Sequence, residues 1–471
     1  MRPGAGVLLA VMAASLVAGC ASFSANGGME PVTDLVTPEV KAEAHKIDTE
    51  AASATARAET QRLLTSVLSA DTAVQIAFLN NKGLQAAYND LGIAEAEKIA
   101  ASLPPNPSFS LSHLSTAVEL DIEGRIVGNI LAVATLPARA DLAAARFRQA
   151  QLRAVEETLH VGFETRRNYY RAVASRQLVT FLSQATSAGE TSAKIAKELA
   201  ETGAMNKLDQ AREQAFFVEL EAQLATAQQQ AASDREALIR SLGLWNNHSE
   251  IKLPGGLPAL PKRPSSSAIE AEAVRRRVDL QLARNEVDML AKTYGLTNAT
   301  RFIDLLNVSG VSRTQRELGV RGTGGGVEVD LQVPIFDFGE VRVREAAETY
   351  SAAVNRLTEK AVNVRSEARD AYRVYRSAYD IAIHYRDQVL PLRQIITDET
   401  TLRYGAMQID VFSLLTEARQ RLAVQVAAIE AQRNFWLASV SLSATVAGGG
   451  AGGSADRPRP LQPRLGTTGS E

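Results

Sequence analysis

Few residues of this 471-residue chain are of the types that carry out chemistry, and those few are widely separated. Cys20 is the single cysteine, so the chain can form neither an internal disulfide nor a cysteine cage for a metal. Metal sites built on histidine place several ligands at short, regular spacing, and no histidine here has such a neighbour. The histidines are His45, His113, His160, His248 and His384. No Ser–His–Asp or paired-carboxylate pattern occurs. We therefore expect no enzyme activity, no cofactor and no metal.

The glycine-rich run Gly322-Thr323-Gly324-Gly325-Gly326 has the glycine count of a phosphate-binding loop. A phosphate loop continues into Lys-Ser/Thr at the start of a helix, whereas this run precedes a segment with strand character. We interpret it as an exposed loop. The total charge is nearly balanced, with 51 basic and 53 acidic residues, and no basic patch stands out. This balance argues against nucleic acid as a partner.

Acidic and aliphatic residues alternate in two segments, residues 118–123 and 327–333. Period-two alternation predicts strands with one apolar and one polar face. Weaker alternation at 108–112 and 302–312 supplies a partner strand for each, so we predict two hairpins with four strands. In a membrane, the apolar face would meet lipid through Val118, Leu120, Ile122, Val327, Val329 and Leu331. The polar face would line a wet, acidic lumen through Glu119, Asp121, Glu123, Glu328 and Asp330.

The two predicted hairpins are isolated between helices and have no other strands to join. In a soluble sheet, the same alternation would place one face on a core and the other in water. Two lone hairpins are marginally stable and leave their edges unpaired. Closing a barrel removes the edges, but membrane barrels commonly need about eight strands or more. Four strands per chain therefore suggest that several chains share one barrel.

Long stretches without proline predict the helices that position these strands. Residues 138–200 and 205–242 form an antiparallel pair in the first half of the chain, turning at Gly203. In the second half, residues 338–403 form a helix with a kink at Pro391, and Gly405 turns the chain into a helix that ends near residue 444. Such rods cannot bury their apolar faces alone and need partner helices. A hollow barrel of helices, drawn from both halves or from several chains, satisfies this need.

The chain is an internal duplication. A shift of 202 residues aligns Tyr170 with Tyr372 and Gly203-Ala204-Met205 with Gly405-Ala406-Met407. A slightly different shift aligns residues 83–87 with 279–283. Each copy therefore has the same order of elements: a first helix (72–102 or 267–294), a hairpin, a long helix, a turn and a returning helix.

The N-terminus has the pattern of a secretory signal: Arg2, an apolar run at residues 7–17 and a small-residue cleavage zone. The run is too short to span a bilayer, which takes about 20 apolar residues. Cys20 directly follows Leu16-Val17-Ala18-Gly19, which resembles a bacterial lipobox and would make it the acylated N-terminus. The alternative is an ordinary signal peptide with an incidental cysteine. By the same resemblance, Ala21 points to the outer membrane.

These patterns divide the chain into six segments. They are a lipoprotein signal peptide (1–19), a lipid-anchored tether (20–70), a first repeat (71–244, hairpin about 107–136), a linker (245–266), a second repeat (267–445, hairpin about 300–335) and a disordered tail (446–471).

Together these features resemble the TolC-type outer-membrane efflux protein family, in its lipoprotein subgroup. The resemblance covers about residues 71–444 and is carried by the order and duplication of the elements. The motifs are the segment ending at Cys20, the run 333–339 (Val-Pro-Ile-Phe-Asp-Phe-Gly) after the fourth strand, and the two turns, Thr202-Gly203-Ala204-Met205 and Tyr404-Gly405-Ala406-Met407. The resemblance implies a mainly α fold with a membrane β part. Three copies would form a 12-stranded barrel in the outer membrane on a periplasmic α-helical barrel.

The resemblance also implies partners. The homotrimer would dock to an inner-membrane pump through a periplasmic adaptor (membrane fusion) protein, with its strands in outer-membrane lipid and its helical tunnel in the periplasm. The two turns would lie at the periplasmic tip, where Met205 and Met407 would meet the adaptor. Alternatively, glycine only stops each helix and methionine covers an apolar end.

Asp410, with Asp209 in the other copy, could form a ring of like charges that gates cations near the tip. Asp410 could equally be an acidic residue favoured by the dipole at a helix N-terminus.

The function predicted by these patterns is a passive exit duct for solutes that a separate pump delivers. The alternatives are a periplasmic adaptor, or a lipoprotein scaffold without a pore. An adaptor resembles one helical hairpin flanked by soluble β-domains, whereas this chain has two small hairpins inside a duplicated helical frame.

Overall fold

The computed structural model describes residues 23–116, 119–245, 251–262, 269–317 and 320–448. Cys20, Val118, the signal segment and all but the first three residues of the predicted tail therefore lie outside the described residues. Those described form twelve α-helices, a π-helical turn and four strands. In chain order these are α1 (Glu30–Val40), α2 (Glu50–Leu64), α3 (Ala70–Asn80), α4 (Lys82–Ser102), β1 (Ser108–Ser115), β2 (Glu119–Asn129), α5 (Ile130–Ala134), α6 (Leu136–Glu201), α7 (Lys207–Leu242), α8 (Ile269–Arg276), α9 (Val278–Ala299), β3 (Leu305–Glu317), β4 (Val320–Gln332), α10 (Glu340–His384), the π turn (Tyr385–Val389), α11 (Leu390–Gly405) and α12 (Val411–Ala447).

The segment that we expected to be a tether is folded in part. In α1, Val32, Val36 and Val40 follow one another at a spacing of four residues, so they lie on one helical face, and all three are fully buried. The backbone amide of Ser24 donates to the carboxylate of Glu95 at 2.7 Å. Residues 23–64 are thus part of the folded body.

The first helix of each repeat is broken where the sequence predicted it to be continuous. Asn81 has extended backbone geometry and caps α4 by accepting a hydrogen bond from the Leu84 amide. Arg277 breaks the second copy between α8 and α9, also with a non-helical backbone but without a side-chain cap. The shift that aligns residues 83–87 with 279–283 also aligns these two breaks, so the break belongs to the duplicated unit. Gly295 does not end α9, which continues to Ala299.

The long helices form as the proline-free stretches predicted. The longest, α6, has 66 residues and is about 100 Å long at about 1.5 Å per residue. Between α10 and α11, the expected irregularity near Pro391 is a π-helical turn. Proline lacks the amide that an α-helix requires, and a π turn accommodates an inserted residue.

The chain divides into two compact units, and each draws segments from both repeats. The first contains the described residues within 23–63, 78–158 and 270–366; the second contains those within 64–77, 159–269 and 367–448. The repeats are therefore copies in sequence but are not separately folded domains.

The first unit contains the strands and a core of large apolar side chains that includes Leu84, Tyr88, Leu91 and Leu280. The buried Tyr88 hydroxyl is 3.0 Å from the hydroxyl of Thr158, which supplies its hydrogen-bond partner.

The second unit contains both helical turns and an aromatic cluster around the buried Phe435. Its neighbours are Tyr375, Tyr379 and Trp436, with ring centroids 5.2 to 5.6 Å away. The Trp436 indole donates to the Pro258 carbonyl at 3.1 Å. The described part of the predicted linker, residues 251–262, is therefore packed against this cluster.

Within the described ranges, no helix combines the length and apolarity that crossing a membrane requires. The same residues contain no group of three or more His, Cys, Asp or Glu side chains that could hold a metal ion.

Candidate channel-forming sheet and helical turns

The four strands form a single antiparallel sheet in the order β1-β2-β3-β4. The prediction that the two hairpins are isolated within the chain was wrong, because β2 pairs with β3 over residues Glu119 to Asn129. The glycine-rich run was also wrongly interpreted as a loop. It lies within β4, where Gly322, Gly324 and Gly325 pair with residues of β3. The ladder uses only backbone groups, so glycine can pair although it has no side chain to pack.

The register separates the side chains of the sheet into two faces. Directly opposed residues point to the same side, and successive residues alternate. One side, here called the apolar face, carries Phe109, Leu111, Leu120, Ile122, Ile126, Leu306, Val308, Val327, Val329 and Leu331. The other, here called the polar face, carries Glu119, Asp121, Glu123, Arg125, Asn307, Ser309, Arg313, Gln315, Glu317, Glu328 and Asp330.

Large side chains of the apolar face are not covered by any other part of the described chain. Phe109 is 70% exposed and Val327 is 76% exposed. Leu111, Ile126, Val329 and Leu331 are also exposed. In addition, β1 and β4 each pair with only one strand, so both edges of the sheet are open. A sheet with an uncovered apolar face and two open edges requires further partners.

The polar face has an ion-pair network that links β2, β3 and β4. The guanidinium of Arg313 binds the Asp121 carboxylate, with Nε 3.0 Å from each oxygen. Arg125 contacts Glu123 at 3.2 Å and Glu328 at 3.1 Å. This face is therefore less acidic than the two alternating segments alone suggested.

Sequence reasoning missed the two arginines of this network because both lie beyond the segments that it assigned to strands. Arg125 follows residues 118–123 in β2, which extends to Asn129. Arg313 follows residues 302–312 in β3, which extends from Leu305 to Glu317. Gly310, Ser309 and Ser312 weaken the alternation there. Continuing the period-two pattern through β3 would have placed Arg313 on the polar face.

The turn that follows β4 fixes the junction between the sheet and α10. Phe338 has φ 50° and Gly339 has φ 71°, both in the left-handed region. A Cβ on Gly339 would lie 2.2 Å from the carbonyl oxygen of Arg301. Only glycine fits at this position. Phe336 in the same turn is almost fully exposed.

The first helical turn, after α6, ends in a left-handed glycine. Gly203 has φ 77°, and the next amide, that of Ala204, donates to the Leu199 carbonyl at 2.8 Å. This six-to-one hydrogen bond is typical of a helix end with a left-handed residue. Asn206 then caps α7, accepting a hydrogen bond from the Asp209 amide at 2.9 Å.

The second turn uses Met407, not Gly405, in the left-handed position. Gly405 is the last residue of α11, whereas Met407 has φ 59°. The Gln408 amide makes the six-to-one bond to the Arg403 carbonyl at 2.8 Å. The prediction that Gly405 turns the chain was therefore wrong. Gly203 corresponds in geometry to Met407, which means that the turns match at a shift of 204 residues and not 202.

The two candidate gate residues are not equivalent in the structure. Asp410 is the N-cap of α12, and its carboxylate accepts a hydrogen bond from the Ser413 amide at 2.8 Å. Hydrogen bonds from Ser413 lower the pKa of Asp410. Its counterpart in geometry is Asn206, whereas Asp209 lies within α7 and forms an ion pair with Arg212 at 3.1 Å. Pairing Asp410 with Asp209 as repeat equivalents was wrong.

The returning helices instead carry a pair of buried glutamates at equivalent positions. Glu213 is 3% exposed; it binds Arg419 at 3.0 Å and the Ser192 hydroxyl at 3.3 Å. Glu417 binds Arg393 at 2.8 Å. Both glutamates lie seven residues after the N-cap, at the shift of 204 residues, so the sequence could have shown the pair had this shift been tested. Their ion pairs tie together the helices next to the turns.

Comparisons with known proteins give matches in structure only. No family model matches the chain, and no curated protein matches it in sequence. The structure of CusC is similar with a TM-score of 0.68 at 14% identity, over 81% of this chain and 92% of that chain. The outer-membrane channel OprN gives a TM-score of 0.68 at 17% identity, over 81% and 90%. The Campylobacter jejuni CmeC outer-membrane channel gives 0.63 at 16% identity, over 84% and 86%.

These likenesses show the fold. The chain shares the fold of these channel structures and is mainly helical with a small four-stranded antiparallel sheet, as the resemblance to the TolC-type family predicted. The predicted fold class is confirmed to this extent.

Proposed function

We propose that the chain is the outer-membrane channel component of a tripartite efflux system and acts as a passive exit duct. The sheet carries this proposal, because it has charged side chains on one face and uncovered apolar side chains on the other. A bilayer covers such an apolar face, and water in a lumen covers the polar one. The fold shared with outer-membrane channels supports the same assignment.

Three copies would complete the barrel. Each copy supplies four strands with two open edges, so β1 of one copy pairs with β4 of the next and twelve strands close on themselves. Closure removes every edge, and a barrel of twelve strands is wider than the barrels of about eight strands that side chains can fill. In this arrangement, Leu120, Ile122, Val327, Val329 and Leu331 face lipid. The acidic residues of the lumen are Glu119, Asp121, Glu123, Glu328 and Asp330.

The helical turns would contact a periplasmic adaptor that connects the channel to an inner-membrane pump. Met407 is 94% exposed, although a left-handed backbone and a large apolar side chain in water both cost stability. An adaptor helix that covers Met407, together with Gly203, Ala204, Met205, Gly405 and Ala406 at the two turns, would offset that cost. Asp410 and Asp209 are the residues that we propose for a cation gate near this end.

A lipid on Cys20 would hold the N-terminus at the outer membrane. Ser24 is bonded to Glu95 of α4, and α4 leads to the sheet. Four residues span at most about 14 Å, so an acylated Cys20 stays within that distance of this part of the folded body.

Conductance across a planar bilayer tests the proposal. Purified full-length protein should insert in discrete current steps, each one a trimer with a water-filled bore. A persistent absence of steps, with folded protein present, would favour the adaptor or the scaffold lipoprotein and would contradict the channel.

A further inference from the structure

Two arginines lie side by side on the apolar face, at the end of the sheet farthest from the helices. Arg316 of β3 and Arg321 of β4 are directly opposed in the ladder, in the same row as Leu120. Both side chains are exposed. Among the residues that the structure describes, neither guanidinium has an ion-pair partner.

Every acidic residue of the four strands lies on the opposite face. Glu317, next to Arg316 in sequence, points to the polar side because neighbours in a strand alternate. Like charges that are directly opposed across two strands destabilise a sheet. The chain therefore keeps an uncompensated pair of cations, and an anion from outside would relieve their repulsion. The adjacent row adds two hydroxyls, from Thr314 and Thr323, which are also directly opposed.

The position of the pair along the strand places it at one boundary of the apolar face. Arg321 is ten residues from Leu331 on the same strand, which is about 33 Å of extended chain. At a strand tilt of about 40° this gives a height of about 25 Å, the height of the apolar band on outer-membrane barrels. The other boundary lies next to the turn that contains the exposed Phe336. The arginines thus lie at the outer interface when the aromatic turn lies at the inner one.

We propose that Arg316 and Arg321 bind the phosphate group of a phosphorylated lipid in the outer leaflet, with the acyl chains of that lipid along the apolar face from Ile122 toward Val327. The site rests on the proposed function, because it requires the apolar face to meet lipid. Guanidinium groups bind phosphate oxygens through paired hydrogen bonds. Free phosphate would neutralise the two charges but would leave the apolar side chains uncovered, so the lipid is the favoured source.

Native mass spectrometry of the detergent-solubilised full chain, titrated with diphosphoryl lipid A, tests this site. We expect Arg316→Gln with Arg321→Gln to weaken lipid binding about tenfold or more, the size expected when two interfacial arginines are lost. The double variant Arg316→Lys with Arg321→Lys keeps both charges, and its affinity for the lipid should lie between those of the wild type and the glutamine variant. Arg344→Gln with Arg356→Gln removes the same charge from exposed positions on α10 and should bind like the wild type.

Further measurements distinguish a phospholipid-type ligand from free phosphate, and failure of the lipid site from failure of the channel assignment. Dephosphorylated lipid A should bind the wild type as weakly as diphosphoryl lipid A binds the glutamine variant, and millimolar inorganic phosphate should not displace the diphosphoryl lipid. Thermal unfolding without lipid should show the glutamine variant at least as stable as the wild type, since repulsion is removed. Equal lipid binding by the wild type and the glutamine variant overturns the site. If the wild type still conducts in a bilayer, the channel assignment stands; if it does not conduct, the channel itself is wrong.

Discussion

Met407 and Gly203 occupy the same left-handed position in the two helical turns, although the sequence aligns Met407 with Met205. The second copy is two residues longer between the aligned tyrosine and the helix cap, and the π turn lies in this stretch. The prediction at Gly405 was wrong because it aligned Gly405 with Gly203 by residue type. Cap geometry and the six-to-one hydrogen bonds determine the position of the turn.

Exchanging side chains at the two left-handed positions tests this assignment. Met407→Gly should stabilise the second turn by up to about 1 kcal/mol, because a left-handed backbone costs about 1–2 kcal/mol in a residue with a Cβ. Gly203→Ala should destabilise the first turn by about 1 kcal/mol for the same reason, since no atom lies within 4 Å of its added Cβ. Hydrogen exchange of the amides in each turn measures both changes. Opposite signs would show that the turns are assigned incorrectly.

Glu156 is a second residue whose surroundings change a measurable property, the pKa of its carboxyl group. Burial, with a smaller contribution from Asp279, raises the pKa of Glu156, and Lys360 opposes the rise. An acid with a raised pKa in the folded state contributes stability that is fully present below its unfolded pKa, about 4.3. That stability is lost as pH rises through the folded-state pKa.

Glu156→Gln should therefore raise the melting temperature at pH 8, and the difference from the wild type should shrink toward zero below about pH 4. Melting curves from pH 3.5 to 8 measure this change. Glu359→Gln makes the same charge change at an exposed site on α10 and should show no gain at high pH. An equal gain for both variants, or a gain for Glu156→Gln that persists at low pH, would count against the explanation.

The strands show which elements the sequence can and cannot predict. Alternation in β2 and β4 was visible because acidic and aliphatic residues take turns there. The pairing of β2 with β3 could not be predicted from the sequence. The two strands are almost 200 residues apart, and no local pattern indicates such a contact. Glycine and serine hid the length of β3. The breaks at Asn81 and Arg277 were missed because helical periodicity continues on both sides of each.

The junction between β4 and α10 depends on one glycine. Gly339→Ala should destabilise the protein by about 2–4 kcal/mol, because the added Cβ meets the Arg301 carbonyl and the backbone is left-handed. Gly405→Ala lies in a helix with no atom within 4 Å of its added Cβ, so it should be neutral or stabilising by up to about 1 kcal/mol. Urea unfolding compares the two, and similar losses would refute the role of Gly339.

The two faces of β4 should respond differently to a positive charge. Val329→Arg places a guanidinium on the apolar face and should impair membrane insertion by about 1–2 kcal/mol, between the values for the bilayer midplane and the interface. Asp330→Arg, one residue away on the polar face, should still insert and should change ion selectivity. Recovery of each variant from outer-membrane fractions or vesicles measures insertion. Normal insertion of Val329→Arg would mean that the faces are assigned the wrong way round.

At the scale of the whole molecule, the sheet of one chain is incomplete. Its edges at β1 and β4 are open and its apolar face is uncovered, whereas helices in both compact units bury apolar cores. The sequence indicated four strands and the need to share them. It could not show the number of copies, because strand pairing between chains leaves no pattern in one chain.

Single-particle cryo-electron microscopy of the full chain in lipid nanodiscs tests the shared barrel most directly. We expect three copies whose twelve strands close into one cylinder, with β1 of each copy paired to β4 of another and Val329 facing lipid. A sheet whose edges stay unpaired in water, or whose apolar face is covered by protein and not by lipid, would contradict it.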